Sequence, residues 1–355
     1  MTAGEPLPTF TTPALVVDLD AFEANVRAMS TLLQGSGKTV RPHVKTHRTP
    51  ELARRQLGGP VQGVTCATVG EAEAMAAAGI DDILVANEVV DPNKLERLAA
   101  LARRARVAVA ADALEPLQWL SAAASRAGVE VGVLIDVDIL LGRCGVATPE
   151  EALPLAEAAA RLPGVWLRGL MGYEGRVRLT VADREAKLRR AYGKLAAVKE
   201  ALDRSGFQVE VVSAAGTSTL REALAEPVIT EIQAGVYVLM EPELLPMGLP
   251  FRCALAVRGT VVSRHPGRIV LDVGRRSIGQ EYGAPEALGI ANATVVVNDE
   301  HAIVRAPGDL PPLGAHVDLR PSQIRTTCNL HDWIWAERNG ALVDRWPVSA
   351  RGGSS

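Results

Sequence analysis

The feature that most constrains the fold is an alternation sustained from about residue 20 to residue 240, where Ala/Leu/Arg-rich amphipathic stretches are separated by short runs of β-branched residues. That is the pattern of helices crossing between parallel strands. Eight runs carry it: TVRPHVK (39–45), GVTCA (63–67), DILVA (82–86), RVAVA (106–110), VEVGVLID (129–136), VWLRGLMG (165–172), QVEVVS (208–213) and VITEIQ (228–233). Eight alternations in this length predict an α/β fold of the TIM-type (β/α)8 barrel class rather than an open sheet. Thr68 followed by Glu71 forms a capping box before AEAMAAAG, and Gly79 is placed to close that helix.

After about residue 241 helical periodicity gives way to alternating strands and turns, as in CALAVRGTVVSRHPGRIVLDVG and ATVVVNDEHAIVRAP, which predicts a mostly-β C-terminal domain. An extra strand, ALVVDL (14–19), precedes the first helix. The expected organisation is therefore residues 1–17 as an N-terminal strand joining the β domain, 18–240 as the barrel and 241–355 as the β domain, with the final GGSS a disordered tail.

Composition narrows the function classes. With 355 residues, 48% hydrophobic and 22% charged, the chain can bury a large core. A net charge of -3 with dispersed basic residues provides no electropositive stripe, so nucleic acid is not expected as a partner. The apolar runs are too short and too interrupted by acids to span a bilayer, and the N-terminus has no signal-like segment, so no membrane association and a cytoplasmic location are expected. Cys66, Cys144, Cys253 and Cys328 lie far apart without CxxC spacing, as reduced thiols rather than a disulfide framework.

The chemistry is expected at the C-terminal ends of the barrel strands. In Arg41-Pro-His43-Val-Lys45 the alternation of a strand puts Arg41, His43 and Lys45 on one face, a cationic group that is costly to desolvate unless anions or a cofactor compensate. Later strands are followed by Gly142-Arg143-Cys144-Gly145, by Gly172-Tyr173-Glu174-Gly175, by Ser213-Ala-Ala-Gly216-Thr217-Ser218 and by Gly235-Val-Tyr237. The last two loops stand where such barrels often cradle a phosphate. A phosphate cradle, an inward lysine, an arginine and a tyrosine together imply a phosphorylated carbonyl cofactor held as an imine, since a desolvated lysine beside other cations is freed to attack an aldehyde.

These residues match a known group. TPALVVDLDAFEANV, RPHVKTH, TVGEAE, GRCGV, GYEG, AAGTST, TEIQAGVYVLM, NLHDW and DRWPVSARG, in this order over nearly the whole chain, resemble the D-threonine aldolase and D-serine dehydratase group of fold-type III pyridoxal-phosphate enzymes, relatives of alanine racemase. The resemblance implies pyridoxal 5'-phosphate as cofactor, Lys45 as its Schiff-base lysine, and Arg143 and Tyr173 at the pyridine ring edge or its phenolic oxygen. Ser213, Gly216, Thr217, Gly235 and Tyr237 then fall around the phosphate. It also implies a homodimer whose active sites lie between the barrel of one subunit and the β domain of the other.

One departure bears on mechanism. Where the group usually carries a metal-ligand pair, P-x-H-x-C or P-x-H-x-D, this chain has Pro321-Ser-Gln323-Ile-Arg325. A spacing of two would set both residues on one strand face, yet Gln is a weak ligand and Arg offers no lone pair. The metal is therefore expected to be absent, with His331 and Cys328 the alternative ligands. Arg325 could instead hydrogen-bond a substrate hydroxyl or clamp a second carboxylate.

Other candidates admit two readings each. His43 is a general base or an orienter of the lysine. Tyr282 is a second acid or base, or part of a surface turn; Trp333 and Trp335 wall a pocket or pack at a dimer interface. Asp18 and Asp20 flank a helix start, where capping accounts for Asp20. The leading function is a lyase on a β-hydroxy D-amino acid, by retro-aldol cleavage or dehydration. A metal-independent racemase or epimerase is the alternative, and a non-catalytic cofactor carrier is the alternative from another class.

Overall fold

The computed structural model describes residues 10–175, 177 and 181–355. Strand β1 (Ala14–Asp18) and helix α1 (Leu19–Leu33) open the chain. Alternation follows: β2 (Thr39–Val40), α2 (Pro50–Arg54), β3 (Val64–Cys66), α3 (Val69–Ala77), β4 (Asp82–Glu88), α4 (Pro92–Leu101), β5 (Arg106–Ala111) and α5 (Leu114–Ala127). It continues as β6 (Val131–Asp136), α6 (Pro149–Arg161), β7 (Val165–Gly172), α7 (Arg184–Arg204), β8 (Val211–Ala214), α8 (Leu220–Ala225) and β9 (Glu231–Ile232). The chain divides into two compact units. One holds the described residues up to Met29 with Thr46–Thr49 and Val236–Gly352; the other holds Ser30–Lys45, Pro50–Gly235 and Gly353–Ser355.

In the second unit eight parallel strands run in the order β2-β9-β8-β7-β6-β5-β4-β3. A bridge between His43 and Thr65, with the Thr65 N–H donating to Pro42 O at 2.9 Å, joins β2 to β3 and closes the ring into the expected α/β barrel. Small and medium side chains fill its interior, as a closed barrel of this size requires: Leu84, Ala108, Ala110, Leu134 and Met171 form one buried cluster. The expected cap at α3 is present, Thr68 accepting from Glu71 N at 3.1 Å, while the Glu71 carboxylate reaches the N–H of Ala67 at 2.7 Å. Gly79 takes the left-handed conformation after this helix, at φ +86°.

The first expected strand is shorter than its sequence suggested. The ladder covers Thr39–Val40 and one bridge at His43, because Pro42 has no N–H to give, and Val44–Thr46 turn into a 3-10 helix. Arg41 leaves the expected cationic cluster altogether. Buried at 3% exposure, it donates from Nε to Glu231 at 2.8 Å and from Nη1 to Asp82 at 2.7 Å, and Asp82 also takes Arg106 and lies 3.5 Å from Arg168. Asp82, Arg106 and Glu231 begin their strands, so this layer lies at the N-terminal end of the barrel. Gly63 makes it possible: a Cβ there would stand 2.3 Å from Arg41 Nη1. The terminal segment is likewise ordered rather than a free tail, Ser355 O accepting from Gly70 N at 3.0 Å and from Arg97 Nη2 at 3.1 Å.

The other unit is built on β10 (Leu255–His265), β11 (Arg268–Leu271), β12 (Glu286–Ala287), β13 (Thr294–Val297), β14 (Ala302–Arg305), β15 (His316–Arg320), α9 (Ile324–Asn329), β16 (Trp333–Arg338) and β17 (Ala341–Pro347). β1 lies within this sheet, antiparallel to β10 and parallel to β16. Alternate burial along β10 and β13 shows why these segments read as half-buried strands. Ala14, Val16 and Trp335 share a core cluster onto which Phe10 packs edge-on, 5.3 Å from Trp335. Trp333 is exposed, with the Arg345 guanidinium 4.0 Å over its ring. At the start of α1 the capping carboxylate is Asp18, accepting from Asp20 N and Ala21 N, whereas Asp20 pairs with Arg338 at 2.7 Å.

Candidate active site

At the C-terminal end of the barrel Lys45 is half-buried in the 3-10 turn after β2, its Nζ 5.8 Å from the centroid of the Tyr173 ring. Tyr173 directly follows β7, and a Cβ on Gly216 would lie 3.6 Å from Cε2 of that ring, so amine, ring and the loop after β8 adjoin. His43 is buried at the bridge that closes the barrel. The loop itself runs through Ala215 at φ +67° into a 3-10 turn, Thr217–Thr219, with Thr217 buried. Gly235 is buried three residues beyond β9. The Ser213 hydroxyl faces the barrel interior, donating to Glu231 at 2.7 Å and accepting from Gln233 at 3.0 Å.

Arg143 is exposed on the loop after β6, and it is not alone there. Glu88 ends β4, Asp112 follows β5 and Asp136 ends β6; one ligand atom each from Glu88, Asp112 and Cys144 lie within 4.8 Å of one another. Burial, then the Glu88 carboxyl, push Asp136 well above the carboxylate range, against the pull of Arg143. The Cys144 thiol is pushed up to about 11, by burial and then by Glu88. This carboxylate and thiol set has the donor chemistry for a divalent cation. The expectations drawn from sequence missed these acids, although reading the last residue of every strand together with the one that follows it would have collected Glu88, Asp112 and Asp136.

The β unit places the remaining candidates. Gln323 and Arg325 do not share a strand face: Gln323 is the N-cap of α9, its side chain accepting from Thr326 N at 2.7 Å, and Arg325 lies inside that helix, where residues two apart diverge. Arg325 donates to the Tyr282 hydroxyl at 3.0 Å and lies 3.8 Å from the fully buried carboxylate of Glu241. Tyr282 is thus held by a guanidinium rather than idle in a turn. His331 is tied to Ser277 O at 2.7 Å and burial lowers its pKa; burial raises the Cys328 thiol to about 12. Tyr237 is wholly buried with its ring 5.4 Å from Phe251, and burial raises its hydroxyl pKa.

Whether these residues suit a phosphorylated aldehyde can be judged from the barrel end itself. A half-buried primary amine faces an aromatic ring beside a tight turn, and an exposed arginine stands on the adjoining rim. An aldehyde, a ring and a phosphate would each meet a complementary group there, so the residues fit.

Two family models match the chain: the alanine racemase N-terminal domain over residues 17–242 and a putative serine dehydratase domain over residues 254–336. It is 40% identical to a D-threonine aldolase of Arthrobacter sp. over 98% of this chain and 95% of that protein. It is 30% identical to a D-threo-3-hydroxyaspartate dehydratase of Delftia sp. (strain HT23), over 78% of this chain and 74% of that protein. The solved D-threonine aldolase of Filomicrobium marinum superposes with a TM-score of 0.92 at 35% identity, covering 97% of each chain. With both domains matched and a barrel end suited to the cofactor, the chain belongs to the D-threonine aldolase and D-serine dehydratase family of fold-type III pyridoxal-phosphate enzymes.

Proposed function

We propose that this protein is a pyridoxal-phosphate-dependent lyase acting on a β-hydroxy D-amino acid. It either cleaves the Cα–Cβ bond to give glycine and an aldehyde, or eliminates water so that hydrolysis leaves a 2-oxo acid and ammonia. The observation that carries the reading is the half-buried Lys45 amine facing Tyr173 beside the 215–219 loop, at the end of the barrel where catalytic groups converge. Family membership supports the same assignment. Bound there, the cofactor serves as an electron sink for charge developing at the substrate Cα.

This chain's residues then have distinct tasks. Lys45 would hold the cofactor through its aldehyde. Tyr173 and Arg143 would orient its ring, and Thr217 with the backbone around Gly216 and Gly235 would hold its phosphate. His43 accepts the β-hydroxyl proton. Ser213 supports the loop from the interior, through its bonds to Glu231 and Gln233. In a homodimer of the kind the family resemblance implies, Arg325, braced by Tyr282, grips the β-oxygen or a second carboxylate of the substrate. Gln323 and Arg325 do not fit a metal ion, so no step is assigned to one. A purified sample incubated with the cofactor and a panel of D-3-hydroxy amino acids should release aldehyde or 2-oxo acid with or without chelator. Formation of neither, by a protein whose Lys45 is modified on borohydride reduction, would remove the lyase reading.

The non-ligating pair at 323 and 325 favours one further reading, a racemase needing no β-oxygen. Solvent deuterium entering Cα with inversion and without cleavage would select it.

A further inference from the structure

The loop after β8 is supported from behind by a residue to which the reaction above gives no task. Glu174 follows Tyr173 and is 4% exposed. Its Oε1 accepts the Thr219 hydroxyl, and its Oε2 is buried with no hydrogen-bond partner among the described residues. Thr219 Oγ1 in turn accepts the N–H of Gly216 at 3.1 Å, so one chain of hydrogen bonds ties the first part of the turn to this carboxyl. Ala215 holds a left-handed φ of +67°, a conformation a residue with a Cβ keeps only when its surroundings enforce it.

Charged and titratable neighbours come from two helices. From α7, Arg184 donates to Ser218 O at 2.6 Å and pairs with Glu222 of α8, and the buried Tyr192 faces Glu174 and Thr219. Among the described residues, the nearby cation is thus committed to Glu222 and to the loop carbonyl. Burial pushes Glu174 up to about 7, against the pull of the Thr219 hydroxyl and of the backbone amides of Glu174 and Ala215; Glu222 adds to the rise.

We propose that Glu174 is a positioning residue for anion binding, fixing the 215–219 turn through Thr219 so that a phosphate meets a preformed loop. The proposal rests on the cofactor reading above. A neutral acid suits the task better than a carboxylate, because protonation gives Oε2 a hydrogen to donate and removes a negative charge from behind a bound dianion. Phosphate binding then raises the affinity of Glu174 for its proton. By reciprocity the cofactor is held less tightly as pH climbs above about 7.

The test compares pyridoxal 5'-phosphate with pyridoxal, which has the aldehyde but no phosphate, in titrations of cofactor-free protein from pH 6 to 9. Inorganic phosphate serves as competitor. E174A and T219V are expected to weaken pyridoxal-phosphate binding and phosphate competition about tenfold or more while leaving pyridoxal unchanged. E174Q is expected to keep the neutral-pH affinity and lose the decline on the alkaline side. Wild-type affinity for pyridoxal phosphate in E174A and T219V, or equal loss of both aldehydes, would overturn the proposal. Should E174A fail to fold, T219V and E174Q carry the comparison. Wild-type protein that takes up neither aldehyde would overturn the cofactor reading, and this proposal with it.

Discussion

At the N-terminal end of the barrel strands Arg41, Arg106 and Arg168 surround Asp82 and Glu231, and Arg41 is bonded to both acids. At the C-terminal end Glu88, Asp112 and Asp136 gather with one described cation, Arg143, and Glu174, just past the neighbouring strand β7, is buried with one oxygen that has no hydrogen-bond partner among the described residues. The two ends share one fold and differ in how far their charges are matched. Opposed charges in hydrogen-bonding reach lock side chains in place, so the lower layer acts as a plug. Unmatched acids leave groups that can take up a proton, a cation or a substrate, which is what a working mouth needs.

Substitutions can break or sharpen this contrast. The largest effect is expected at the mouth, where K45A should lower kcat by at least about 10³-fold and abolish borohydride labelling with the thermal midpoint unchanged. In the lower layer the balance should invert: R41A leaves two buried carboxylates short of a partner and should cost about 3–5 kcal/mol in urea unfolding. An R41A protein as stable as wild type but without turnover would show that the plug is part of the site. R325A is expected to lower kcat/KM by about 10²-fold with the barrel's stability unchanged, and R325K to recover only part, since a lysine lacks the planar fork.

The smallest effect is the most diagnostic. Asp136 has its pKa raised in the folded state, so the folded protein keeps a proton that the unfolded chain has lost. Wild-type stability should therefore fall as pH rises from about 4 through the folded-state pKa. D136N removes that slope: it should match wild type near pH 4 and exceed it at pH 7, by an amount that grows as the pH rises between the two. Equal stability at both pH values would mean that the mouth is as well compensated as the plug.

Much of this was readable in the sequence, and the exceptions have physical causes. All eight barrel strands were visible because β-branched runs bury on both faces, and Lys45, Tyr173 and Gly216, which the structure brings side by side, drew notice in the sequence because they follow strand ends. Arg41 was misassigned because its partners are Asp82 and Glu231, which only ring closure brings to it. Residues 323–325 were taken for a strand, yet Gln323 caps a helix, a local side-chain bond that outweighed the extended pattern. The acids of the mouth were missed because each is a single residue at the end of a different strand, and no spacing links them. The final GGSS read as a disordered tail, although the Ser355 carbonyl finds donors at Gly70 and Arg97.

Gly63 has a practical consequence for anyone redesigning this catalyst. Because it leaves space for the Arg41 side chain, even a methyl group there would evict the guanidinium and open the sealed base of the scaffold. Libraries aimed at new substrates should hold that glycine constant and diversify the opposite rim, where changes draw on no part of the seal.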